Sequence, residues 1–160
     1  MIDDRVALRI EIEDFNTLYA DHLDTGNLDG WVELFTEDAF YRITARENVD
    51  AGLPAGIVYC EGKGMLKDRA FAIANTAMYA PRRWQHFITN TRVLSVEPDG
   101  TIRARSNYLI LETLENGRTL IHQSGTYHDR FDRVNSELRL KERNCVYDTQ
   151  MIKTSMVYPA

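Results

Sequence analysis

The chain has 160 residues, 44% hydrophobic and 27% charged, with a formal net charge of −5. That is the composition of an ordinary globular domain, one unit over residues 1–160, large enough to bury a core without staples. The acidic balance argues against a nucleic-acid partner, which would need a basic face, and no apolar run approaches the roughly 20 residues that cross a bilayer. The start, Met1-Ile2-Asp3-Asp4-Arg5, lacks the basic lead-in and apolar stretch of a signal peptide. The expected compartment is the cytoplasm, where Cys60 and Cys145, each inside an apolar strand-like run, are expected to be buried reduced thiols.

Asp3 or Asp4 can cap a first long helix. Leu8, Ile12, Phe15, Tyr19 and Leu23 recur along it as a continuous apolar stripe, and Gly26 is placed to end it in the left-handed region. Leu28, Trp31, Val32 and Phe35 mark one face of a short second helix, around 28–35. Thr36-Glu37-Asp38 reads as a turn, and 39–44 alternates like a half-buried strand. Residues 45–56, with Gly52, Pro54 and Gly56, read as a loop, and Ile57-Val58-Tyr59-Cys60 as a short buried strand. A third helix is expected from Lys63 to Tyr79, with Leu66, Ala70, Ile73 and Ala77 on one face and Pro81 helping to end it.

From Trp84 the pattern changes to four long strands: 84–97, 101–114, 118–131 and 137–148. Pro98-Asp99-Gly100, Asn116-Gly117 and Val134-Asn135-Ser136 punctuate them. Each far exceeds the usual five or six residues or so. Strands that long must twist and coil, so a strongly curved, mainly antiparallel sheet with three helices in its concave side is expected, an α+β cone. In the second long strand Tyr108 and Ile110 point one way, Leu109 and Leu111 the other. A sheet covered on one side only should be polar on the other. The outward leucines therefore imply a second burial, by a partner subunit or by the apolar tail Met151–Ala160 folding back.

Chemistry is sparse. The four histidines are His22, His86, His122 and His128. None forms a zinc-type cluster with a cysteine pair, and no Cys/His pairs with Rieske spacing exist. His122 and His128 share a strand parity but lie roughly 20 Å apart at strand rise. Gly62-Lys63-Gly64 lacks phosphate-loop spacing and reads as a helix start. Tyr19, Asp21 and His86 form one acid–base set that a cavity between helices and sheet could hold. Tyr19 and Asp21, two apart, point to different helix faces, which favours a core role for Tyr19 and a solvated Asp21. Arg139, Lys141 and Arg143 alternate on the last strand and are expected to project from one face, as a solvated strip or one that meets carboxylates across an interface.

Taken in order, several segments resemble the small (β) subunits of aromatic-ring-hydroxylating dioxygenases, the Rieske non-haem iron oxygenases. They are residues 31–41, Lys67-Asp68-Arg69, 86–93, Gly125-Thr126-Tyr127-His128-Asp129 and 138–148. The resemblance implies a cystatin-like cone shared with nuclear transport factor 2 and ketosteroid isomerase, and a structural chain with no catalytic, cofactor-binding or metal-ligating residue of its own. It also implies a large α subunit carrying the Rieske 2Fe-2S cluster and mononuclear Fe(II), commonly three of each subunit with self-association of the small ones, and electrons from NADH. The loop 52–58 is similar to members acting on salicylate, anthranilate or terephthalate. Two alternatives share the cone. One is a stand-alone dehydratase or isomerase using Tyr19, Asp21 and His86, since Gln85-His86-Phe87-Ile88 resembles a catalytic segment of scytalone dehydratase; that family needs a second histidine on a later strand, where this chain offers Gly125-Thr126-Tyr127-His128. The other is a binding module without catalysis.

Overall fold

The structure is a computed structural model that describes residues 4–75, 81–149 and 158–160. In chain order the elements are α1 (Asp4–Asp24), α2 (Leu28–Glu33), β1 (Phe35–Ala45), α3 (Arg46–Asp50), β2 (Val58–Glu61), α4 (Gly62–Asn75), β3 (Arg82–Val96), β4 (Ile102–Leu114), β5 (Thr119–Val134) and β6 (Glu137–Tyr147). One six-stranded sheet runs in the order β2-β1-β6-β5-β4-β3. Every pairing is antiparallel except β1 with β6. This is the α+β cone expected from the strand lengths.

The α1 stripe is buried as its spacing predicts: Ile12, Tyr19 and Leu23 are wholly enclosed, Phe15 nearly so, and Leu8 packs at the margin. Asn16 joins them at 2% exposure, a polar residue inside an apolar face. The helix ends at Gly26 (φ +75°), where Gly26 N–H donates to Leu23 O and Asn27 N–H to His22 O, the paired bonds of a Schellman closure. The Asn27 side chain then caps α2 by accepting from Gly30 N–H at 3.0 Å. Leu66, Ala70 and Ile73 bury the inner face of α4, against β1 and α2. Asp3, Ala77 and Tyr79 lie outside the described residues.

Two local expectations need correction. Thr36-Glu37-Asp38 is not a turn between helix and strand. It sits inside β1 as an irregularity, with the register to β6 shifting between Phe35 and Phe40 and Thr36 Oγ1 donating to Asp38 at 2.8 Å. Residues 46–50 form a short helix where a loop was expected.

The bulges decide where side chains point. Arg130 pairs with Glu142 but Phe131 with Leu140, so Lys141 is an extra residue. Leu138 and Leu140 face inward before it, and Arg143 and Cys145 face inward after it. On β5, Gln123 pairs with Ile110 but Ile121 with Leu111, so His122 is extra and both His122 and Gln123 are buried. Gly125, opposite Tyr147, sits so close to β6 that an added Cβ would lie 2.1 Å from Val146 O.

Candidate functional site

The concave side of the sheet is lined by polar as well as apolar groups. At its centre is Arg143, fully enclosed on β6. Its Nε and Nη2 donate to the two oxygens of Asp129, both at 2.8 Å, and Nη2 donates again to Asn16 Oδ1 at 2.6 Å. The guanidinium carbon lies 4.2 Å from the Tyr19 ring centroid and 4.0 Å from that of Tyr127, a sandwich that suits its planar, weakly hydrated charge. Asn16 passes the network on through Ser106 Oγ (3.3 Å) to Thr91 (3.0 Å). Arg143 Nη1 and Tyr127 Oη find no partner among the described residues. Burial lowers the guanidinium's affinity for its proton, but the adjacent Asp129 carboxylate more than reverses this and holds it well above its ordinary value. Burial also raises the Asp129 carboxyl, opposed by Arg143.

Beside this cluster lies the segment Tyr158–Ala160, buried throughout. Tyr19 Oη and Tyr41 Oη both donate to Ala160 O, the second at 2.9 Å, and Ala160 N–H donates to Tyr41 Oη at 2.9 Å. The Cys145 thiol is 3.8 Å from the same oxygen. His86 Nε2 lies 3.2 Å from Pro159 O, while its Nδ1 lies 2.6 Å from Asp24 Oδ1. The Tyr158 ring stacks on Trp84 (5.6 Å, 13°) and its hydroxyl donates to Leu23 O at 2.5 Å. Burial pushes the Tyr19 and Tyr41 hydroxyls up and the Cys145 thiol up to about 12, so all three are neutral at physiological pH. At the rim Arg82 donates to Glu112 at 2.8 Å, and His122 stands 3.8 Å from the same carboxylate and edge-on to Trp84. Burial pushes the His122 ring below its ordinary value. A surface depression of about 760 Å³ lies between α2 and α4.

Of the acid–base set read from sequence, Tyr19 and His86 do converge, on consecutive carbonyls of one segment. Asp21 does not; it is exposed, and Asp24, one helical turn on, is the carboxylate that holds His86 through both its ring and its backbone N–H. His128 points to the opposite face of the sheet from His122, because the bulge breaks the shared parity. The basic strip is also broken: Arg139 and Lys141 face outward to Glu137 and Asp132, but Arg143 is interior. Asn16, Asp129 and Tyr41 were not singled out from the sequence. A signal existed, since Asn16 lies on the α1 stripe and Asp129 shares the parity of Tyr127 and Phe131.

Among the described residues no three His, Cys, Asp or Glu side chains cluster as a metal site would. Cys60 and Cys145 are separate buried thiols, and His22 and His86 are engaged with Asn27 and Asp24. No described helix is long and apolar enough to cross a membrane.

Fold and interior together define an α+β cone protein of the cystatin-like kind whose concave side is filled by its own chain. Residues 19–154 match the family model for the ring hydroxylating beta subunit. The chain is 36% identical to the anthranilate 1,2-dioxygenase small subunit of Burkholderia cepacia, over 93% of this chain and 92% of that one. It is 34% identical to a beta subunit of the terminal oxygenase component of terephthalate 1,2-dioxygenase from a Comamonas species, over 94% and 97%. A solved chain from Novosphingobium aromaticivorans, assigned as the beta subunit of an aromatic-ring-hydroxylating dioxygenase, superposes with a TM-score of 0.88 at 37% identity, covering 98% of both chains. The protein belongs to the ring-hydroxylating dioxygenase beta-subunit family.

Proposed function

We propose that this chain is the structural, non-catalytic small subunit of a Rieske-type aromatic-ring-hydroxylating oxygenase, a cytoplasmic enzyme that uses NADH and O2 in aromatic catabolism. A large α subunit carries the Rieske 2Fe-2S cluster and the mononuclear Fe(II), and three of each subunit assemble with contacts between the small ones. The anthranilate and terephthalate relatives favour an aryl carboxylate as the substrate of the whole enzyme.

The observation that carries the reading is the outer face of β3–β5. Phe87 pairs with Leu109, Gln85 with Leu111, and Leu111 with Ile121, which brings four apolar side chains together. Phe87 is 45% and Ile121 66% exposed, and Leu109 and Leu111 are half-buried. Apolar surface gathered on one sheet face is stabilised when a second protein covers it. The described part of the tail, Tyr158–Ala160, packs on the concave side, against Trp84 and Leu23. Tyr19 and His86, the residues an isomerase or dehydratase would use, are occupied by the chain itself.

The test is purification from the native host with iron analysis of what accompanies the chain. A larger iron–sulfur protein in fixed ratio, with iron following that protein, is expected. A lone monodisperse chain, or iron bound by this polypeptide by itself, overturns the proposal.

A further inference from the structure

We propose that the concave interior is a binding site for a small aryl compound bearing a carbonyl or carboxylate oxygen, and that residues 158–160 hold the site in this chain as an internal ligand. The segment is bound as a ligand would be. Two phenol hydroxyls, Tyr19 and Tyr41, converge on one acceptor oxygen of Ala160, and the pairing with Tyr41 is reciprocal through Ala160 N–H. His86, fixed by Asp24, addresses the neighbouring carbonyl of Pro159. Trp84 supplies a flat face on which the Tyr158 ring stacks, with Leu23 O as acceptor for the phenol.

These receiving groups come from α1, β1 and β3, which share one core cluster with Tyr158 and Ala160. Removing the segment leaves two hydroxyl donors, an imidazole and an indole face enclosed together, with the Tyr127 hydroxyl and Arg143 Nη1 already unpartnered nearby. Buried donors left without acceptors are costly. A ligand that brings an acceptor oxygen and a ring relieves that cost, and the charge pairs Arg143–Asp129 and His86–Asp24 are already internally matched. The recognised chemistry is therefore an acceptor oxygen and an aromatic plane rather than a strong net charge.

A site filled by its own chain in most molecules binds an external ligand more weakly by the fraction of time it is open. The experiment compares the full chain with one lacking residues 158–160, using calorimetry with p-hydroxyphenylpropionate and with its neutral amide. The shortened chain is expected to bind at least about tenfold more tightly than the full chain, and Tyr41→Phe in the shortened chain to remove that gain. Binding of both probes identifies a carbonyl oxygen as the recognised group; binding of the acid alone identifies a carboxylate. Should the shortened chain fail to fold by circular dichroism, Tyr158→Ala in the full chain, which loses the Trp84 stack, is expected to give a several-fold gain by the same measurement. Equal affinity of full and shortened chains, no heat from a folded shortened chain, or no gain in Tyr158→Ala overturns the proposal. None of these readings involves the oxygenase partner, so they stand or fall separately from the assembly.

Discussion

Arg143 gives up its water for a carboxylate, an amide oxygen and two tyrosine faces. Such a pair adds little net stability over an apolar pair of the same shape, but half of it is far worse than either. Arg143→Met is therefore expected to cost about 3–5 kcal/mol in urea unfolding, because Asp129 is left charged and enclosed. The double variant Arg143→Met, Asp129→Leu is expected to recover most of that loss. Gly125 is constrained differently. Its missing side chain lets β5 and β6 meet at Val146, and a Cβ there would be 2.1 Å from a backbone oxygen that cannot swing away. Gly125→Ala is expected to cost about 3 kcal/mol, at the upper end for overpacking, as read by the same unfolding curves.

Long strands carry the architecture, and their bulges carry its exceptions. Alternation along β4 reads cleanly from sequence: Tyr108 and Ile110 are interior and Leu109 and Leu111 exterior. Leu111→Asp is thus expected to leave the melting temperature of the lone chain nearly unchanged while weakening co-purification with the large subunit, since an unpaired charge would be buried at the contact. Size-exclusion chromatography of the co-expressed proteins checks it, and intact assembly would argue that the outer face is not the contact. β6 reads less well. Strict alternation sends Arg139, Lys141 and Arg143 to one face, whereas the extra residue Lys141 turns Arg143 inward. The clue is a change of apolar parity, even numbers at Leu138 and Leu140 and odd at Cys145, which a one-residue bulge reconciles. His122 on β5 escapes its expected face for the same reason.

At the scale of the whole molecule, enclosure of a weak base contributes to the loss of stability in acid. Burial holds the His122 ring below its ordinary value of 6.5, with Arg82 adding to this and Glu112 opposing it. The unfolded chain therefore takes up a proton there before the folded one does. Its contribution to stability is complete above about pH 6.5 and is lost as pH falls through the lower folded value. Thermal melts across that range are expected to fall less steeply for His122→Gln than for the unaltered chain; identical slopes would show that His122 is not a protonation site that matters.

The long first helix, the four long strands and their curvature, and the inward and outward residues of β4 were legible in the sequence. Each follows from local periodicity, turn chemistry or strand length, which depend on near neighbours in the chain. The meeting of Asn16, Asp129 and Arg143, the choice of Asp24 over Asp21 as the partner of His86, and the seating of Ala160 against Tyr19 and Tyr41 were decided only in three dimensions. Those contacts join residues up to 141 positions apart. Which of them form depends on bulges and on the closure of the sheet around α1, and neither leaves a periodic trace in the order of residues.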